Sequence, residues 1–213
     1  QHNLILSRKG RVDFGDSARP ARSHFYVDHD MIVARFFLAL EKRGLIVSSW
    51  LEDELMRNPI EAYDVLGMNE IHRLPDLVFD LKTINNTFVR CALEIEKVTK
   101  NHSRYSKMAL SYLNAGRIDV VLFGCVQPTT ERVVRRAFNT SAHIESNRVP
   151  GTFLFDEFDP VSLSTALRFQ DNDMSIARFI EVATKQSVPP MRNAGEKREY
   201  AFSRKFMKKT EAA

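Results

Sequence analysis

Two short acidic stretches hold the residue types best able to do chemistry: Leu74, Pro75, Asp76, Leu77, Val78, Phe79 and Asp80, then Ala92, Leu93, Glu94, Ile95, Glu96 and Lys97. Both read as strands. Side chains alternate across a strand, so Asp76, Val78 and Asp80 share one face, as do Arg90, Ala92, Glu94 and Glu96. Leu77, Phe79, Leu81, Cys91, Leu93 and Ile95 point to the opposite, apolar face. The intervening run from Thr83 to Thr87 has the Asn content of a hairpin loop. A turn about Asn85 sets Asp80 opposite Arg90, Val78 opposite Ala92 and Asp76 opposite Glu94. A slip of one residue would mix the acidic and apolar faces, so the alternation itself selects this register. Asp76, Glu94 and Glu96 then gather at the open end of one hairpin.

Carboxylates that face one another across a sheet repel and raise one another's pKa, so something must compensate them. A divalent cation, Mg²⁺ or Mn²⁺, does so directly, because such ions take oxygen ligands and can align a phosphodiester and stabilise its leaving oxygen. The competing reading is a solvated acidic sheet edge with Arg90 and Lys97 as partners.

The elements that must position this hairpin are legible from hydrophobic spacing. Ile32, Val33, Phe36, Phe37 and Leu40 recur at helical intervals, which predicts a helix from His29 to a stop at Gly44. A strand over Ile46–Ser49 and a short helix over Trp50–Arg57 follow, ended by Asn58 and Pro59, while residues 60–72 fit either state. Beyond the strands Asp76–Lys82 and Phe88–Glu96 comes a helix from His102 to Asn114. The run Asp119–Val126 is apolar on both faces, as a central strand covered on each side would be. Helix is expected again over Thr129–His143, strand over Thr152–Phe155 and helix over Ser175–Lys185. Interspersed strands and helices argue for an α/β chain with a mixed central sheet flanked by helices.

Charge divides the 213 residues into three parts. Residues 1–22 carry five Lys/Arg against two Asp/Glu, residues 23–184 carry 18 against 22, and residues 185–213 carry eight against three. An acidic body of ordinary domain size thus lies between two basic arms, an arrangement suited to approaching a polyanion. The first arm contains Arg8, Lys9 and Arg11 at the tip of a short hairpin pattern over residues 1–14, followed by a linker over residues 15–23. The last contains Arg192, Lys197, Arg198, Arg204, Lys205, Lys208 and Lys209 among Tyr200, Phe202 and Phe206, residue types that suit phosphate contact and base stacking. Cys91 and Cys125 lie in apolar runs and read as buried thiols of a reducing compartment, with the cytoplasm expected. No apolar run approaches the roughly 18 residues that a bilayer crossing needs, so no membrane insertion is expected. The start of the chain lacks a long apolar segment and an initiating Met, and reads as the cut end of a longer or processed chain rather than as a signal peptide.

Pro75-Asp76 followed by Glu94-x-Glu96 resembles the PD-(D/E)xK nuclease signature in its E-x-E variant. Lys97 falls on the opposite face from the pair and does not take the usual lysine position. The wider pattern, a helix opening with Asp28-His29-Asp30, the Trp50 segment, the Pro-Asp hairpin, and Glu-x-Glu followed by Arg104-Tyr105, is similar to the MobC (MOBC) plasmid relaxases and the related replication-relaxation proteins over residues 24–126. That resemblance implies a restriction-endonuclease-like catalytic domain over residues 23–184. It also implies a winged-helix DNA-binding domain before it, here absent or reduced to the hairpin of residues 1–14. Under it, Asp76, Glu94 and Glu96 would hold Mg²⁺ or Mn²⁺, Tyr105 would be the nucleophile and Arg104 the adjacent basic residue, an Arg where family members often have Lys. Lys100 and Lys107, with Arg8, Lys9, Arg11, Lys197, Arg198, Arg204 and Lys205, would contact DNA.

Spacing alone gives Tyr105 a second reading, because Tyr105, Met108, Ala109, Tyr112 and Leu113 form a core-facing helical stripe. No His-x-His element exists, and the six histidines are scattered. His29 falls near a helix start or near the site, His102 has no assigned role, and Glu41 reads as a surface residue. The expected function is metal-dependent nicking of one DNA strand at a plasmid transfer origin, with mobilisation accessory or coupling proteins as further partners. The alternatives are a hydrolytic endonuclease of the same fold, with water as nucleophile, and an inactive DNA-binding replication or mobilisation protein.

Overall fold

A computed structural model describes residues 24–67, 74–84, 86–141, 150–169 and 173–185. The basic hairpin with Arg8, Lys9 and Arg11, the linker, and the tail carrying Lys197, Arg198, Arg204 and Lys205 lie outside these described residues.

Helix α1 (His24–Glu41) buries Val33, Phe36 and Leu40 on one stripe, as the spacing predicts, and the chain reverses through Gly44 at φ 64°. Strand β1 (Ile46–Leu51) runs two residues past the expected end, so Trp50 and Leu51 are strand, not helix. The reason is pairing: Trp50 and Leu51 face Val78 and Leu77 of strand β2 (Leu77–Lys82). Helix α2 (Glu52–Arg57) starts only where Glu54 can accept the Leu51 N–H, at 2.9 Å. Helix α3 (Pro59–Leu66) resolves most of the ambiguous stretch. Asn58 caps it by accepting the Glu61 N–H, and Gly67 ends it in the left-handed conformation.

Strand β3 (Phe88–Glu96) pairs antiparallel with β2 in the expected register, Asp80 opposite Arg90 and Val78 opposite Ala92. Helix α4 (His102–Asn114) leads to β4 (Val120–Cys125), and α5 (Pro128–Ser141) precedes β5 (Gly151–Leu154); β3, β4 and β5 are mutually parallel. Two short strands the hydrophobic pattern does not show, β6 (Ala166–Arg168) and β7 (Asp173–Ser175), close the far edge in antiparallel pairing before α6 (Ile176–Lys185). Three residues are too few to display alternation. Among the described residues the seven strands lie in sequence order in one mixed sheet.

Helices α1 and α6 cover one face, over Phe79, Cys91, Leu93 and Leu122, where Phe36 packs against Phe153 and Phe158 at ring distances of 5.6 and 5.5 Å. Helices α2 to α5 contribute to the core of the other face, over Val78, Ala92, Val121 and Phe123. All six β4 residues are buried, as a strand covered on both sides requires. At Gly124 the strands approach so closely that an added Cβ would stand 2.6 Å from Ile95 Cδ1 and 2.9 Å from Phe153 Cζ. The acidic face of the hairpin is therefore not a solvated edge; it is roofed by helices.

Candidate functional site

The hairpin is locked by an ion pair inside that roof. Arg90 donates from Nε to Asp80 Oδ1 at 2.8 Å and from one terminal nitrogen to Oδ2 at 2.9 Å. Its other terminal nitrogen donates to the Val65 carbonyl at 3.0 Å, and the guanidinium lies 5.1 Å from the Trp50 ring centroid and 5.0 Å from that of Phe88. A planar fork matched to a carboxylate and stacked on aromatics is the arrangement in which Arg tolerates burial. It holds Asp80 opposite Arg90, and so keeps the start of β2 beside the end of β3.

At that end the three predicted carboxylates take separate partners. Asp76 Oδ2 accepts the Ile95 N–H at 2.6 Å and meets His29 Nε2 of α1 at 3.2 Å. Glu94, with no exposed surface, accepts the Tyr112 hydroxyl at 2.5 Å. Glu96, 1% exposed, receives the Lys100 ammonium at 2.6 Å on one oxygen and the Tyr105 hydroxyl at 3.3 Å on the other. Lys97 turns away from Glu96 to Asp28, 3.3 Å distant, on the side the alternation predicts.

Two titrations follow from this packing. Burial works against a charged His29, but hydrogen bonds and negative charge from Asp30 and Asp76 outweigh it, and its pKa is pushed up to about 10. His29 is thus an imidazolium at neutral pH. Burial pushes the Tyr105 hydroxyl well above its ordinary value; the Lys100 N–H, donating to it at 3.2 Å, works the other way, and the charge of Glu96 adds to the rise. Tyr105 is fully buried and protonated here, in line with the core-stripe reading, together with Met108, Ala109 and Tyr112. Its hydroxyl nevertheless faces a carboxylate acceptor, the pairing a tyrosine nucleophile requires.

The oxygen donors are of the type a hard divalent cation takes. Their placement is not: among the described residues no three acidic, His or Cys side chains are grouped to hold a cation. Each carboxylate instead has an internal donor, and for Asp76 and Glu96 that donor is a cation.

Of the other expected site residues, Arg104 and Lys107 are exposed on α4, whose first turn is capped by Asn101 accepting the Arg104 N–H at 2.9 Å. Glu41 is exposed, as a surface residue would be. Lys100, an expected DNA contact, donates to Glu96, and Tyr112 and His29 take partners that the spacing does not show. Lys100 stands four residues after Glu96, which is the available signal; of the two places the sequence offers His29, near the helix start or near the site, the structure shows it reaching Asp76. Thr99 and Thr130, whose hydroxyls are 2.6 Å apart, tie the loop after β3 to the start of α5.

Among the described residues no helix is long and apolar enough to cross a membrane. Compared with protein-family models, with curated proteins and with solved structures, the chain matches none of them.

Proposed function

We propose that the protein cleaves one strand of DNA, as a mobilisation relaxase with a restriction-endonuclease-like catalytic domain. The observation that carries this reading is the burial of two carboxylates at the carboxyl end of β3, Glu94 against Tyr112 and Glu96 against Lys100 and Tyr105. Ligands of open α/β sheets bind outside the carboxyl ends of the strands, and this is such an end. Burying Glu94 and Glu96 costs several kcal/mol per charge before pairing, so a purely structural role is better served by apolar residues. The sheet supports the restriction-endonuclease-like assignment as far as a mixed central sheet flanked by helices goes. Mg²⁺ or Mn²⁺ belongs to the proposal on the donor type alone.

In the relaxase reading the Tyr105 oxygen attacks the phosphorus while Glu96 accepts its proton, and the bond from phosphorus to one bridging oxygen breaks; that oxygen takes a proton from solvent, leaving a phosphotyrosyl link and a free 3′ or 5′ hydroxyl on the cut strand. Lys100, with Arg104 beside it, offsets the charge that builds on the phosphate. The second reading, hydrolysis by water, is favoured by the full burial of Tyr105 and the raised pKa of its hydroxyl.

Supercoiled plasmid carrying the cognate origin, incubated with the protein with and without Mg²⁺ or Mn²⁺ and run on a denaturing gel, separates them. A protein–DNA adduct that disappears in Tyr105→Phe supports the relaxase. Nicking without an adduct supports hydrolysis, and binding with no nicking under any metal condition refutes both.

A further inference from the structure

The outer surface of the roof over Glu94 and Glu96 is basic. Helix α5 forms one wall of a groove of about 570 Å³ lined by Glu131, Arg132, Arg135, Arg136, Asn139 and Thr140, with Pro128 at its start. Glu131 is the single carboxylate of α4 and α5, and it does not oppose an incoming anion freely: it accepts the Thr152 hydroxyl at 2.8 Å and pairs with Arg168 at 3.3 Å. Arg135 is fixed by donating to the Phe169 carbonyl at 3.0 Å. Arg132 and Arg136 are exposed at the i, i+4 spacing of one helix face. Helix α4 packs beside α5 and adds exposed Arg104 and Lys107 to the same layer.

We propose that this groove binds the phosphate backbone of duplex DNA, with Arg132 and Arg136 as the phosphate contacts and Arg135 shaping the wall between them. The proposal rests on the nuclease reading and names the surface that would present DNA to that site. Charge complementarity selects the occupant: among the described residues the groove is lined by three arginines and two polar side chains, with no large apolar side chain to enter a bilayer, which favours a nucleic acid over a lipid surface. Arg132 and Arg136 stand roughly 6 Å apart along the helix axis, close to the separation of successive phosphates of one strand. The groove begins at the turn of α5 that Thr130 ties to the loop beside Glu96, so a backbone lying in it runs toward the carboxylate end of β3.

Fluorescence anisotropy of a labelled duplex, measured with the full chain in EDTA across a salt series, reads binding without cleavage. Each phosphate contact contributes about 0.9 to the slope of log affinity against log salt. R132A/R136A should therefore lower the slope by about 2 and the affinity at 0.1 M salt by about sixty-fold, with an unchanged circular dichroism spectrum. Arg57→Ala, on α2, should bind as the wild type does. A double variant within twofold of wild type with an unchanged slope overturns the proposal. So does binding to phosphatidylserine vesicles that depends on Arg132 and Arg136 while duplex binding does not. Wild type that binds through the groove but never nicks leaves the groove standing and refutes the nuclease reading.

Discussion

Removing one charge of the Asp80–Arg90 pair is the sharpest perturbation the fold offers. Asp80 and Arg90 are 2% and 7% exposed, so Asp80→Asn leaves a guanidinium in the core with its counter-ion gone. Breaking a buried pair from one side costs roughly 3–5 kcal/mol. Asn keeps the volume and one acceptor oxygen, and Arg90 keeps the Val65 carbonyl and its two aromatic neighbours, so the low end, about 3 kcal/mol, is expected. Against a total stability of about 5–15 kcal/mol that is a large fraction. It corresponds to a fall in Tm of roughly 10 °C for a chain of this length. Replacing both partners, D80L/R90M, should recover most of the loss, because apolar side chains of similar volume fill the site without an unpaired charge. Urea unfolding of the three proteins gives the free energies. A cost below about 1 kcal/mol for Asp80→Asn, or a double variant as unstable as the single one, refutes the view that each of these buried charges needs the other.

The raised pKa of His29 makes part of the stability depend on pH. The folded value of about 10 lies above the ordinary 6.5, so the contribution is complete below pH 6.5 and is lost as pH rises through 10. The stability gap between wild type and His29→Gln, on the order of 2 kcal/mol at pH 6.5, should close by pH 10.5; a gap that stays constant contradicts the His29–Asp76 assignment. Gly124→Ala should destabilise by about 1–3 kcal/mol through overpacking against Ile95 and Phe153, and a change of only a few tenths in chemical denaturation would show that β3 and β5 can yield. Burial pushes both thiols above their ordinary pKa, so a disulfide exchange reagent at pH 8 should label Cys91 and Cys125 only on unfolding; rapid stoichiometric labelling of the native protein contradicts this.

The local part of the fold was readable because each signal is short-range. Alternation in Asp76–Lys82 and Phe88–Glu96 sufficed to set the register, since any slip would have buried Asp80 among phenylalanines. The spacing of Val33, Phe36 and Leu40, and of Tyr105, Met108, Ala109 and Tyr112, located helices whose buried stripes match. What failed was whatever depends on which element lies above which. The acidic hairpin face carried no sign that α4 would roof it, so an open three-carboxylate end was expected where Glu94 and Glu96 are instead enclosed with Tyr112, Tyr105 and Lys100. Arg90 does partner the acidic face, through Asp80 directly opposite it, whereas Lys97 turns to Asp28 on α1. The basic groove is not legible in the sequence because Arg132, Arg135 and Arg136 sit in an ordinary amphipathic helix, and only the packing against Thr152 and Arg168 neutralises the Glu131 among them.

That the carboxylate cluster is where a DNA strand is cut is tested most directly by the rate at which the full chain converts supercoiled origin plasmid to open circle in Mg²⁺ or Mn²⁺. Glu94→Gln and Glu96→Gln keep shape while removing the charge and one acceptor oxygen, and should slow nicking by about a hundredfold or more with duplex binding retained. Wild-type nicking that persists undiminished in both variants would place the chemistry elsewhere and contradict the account.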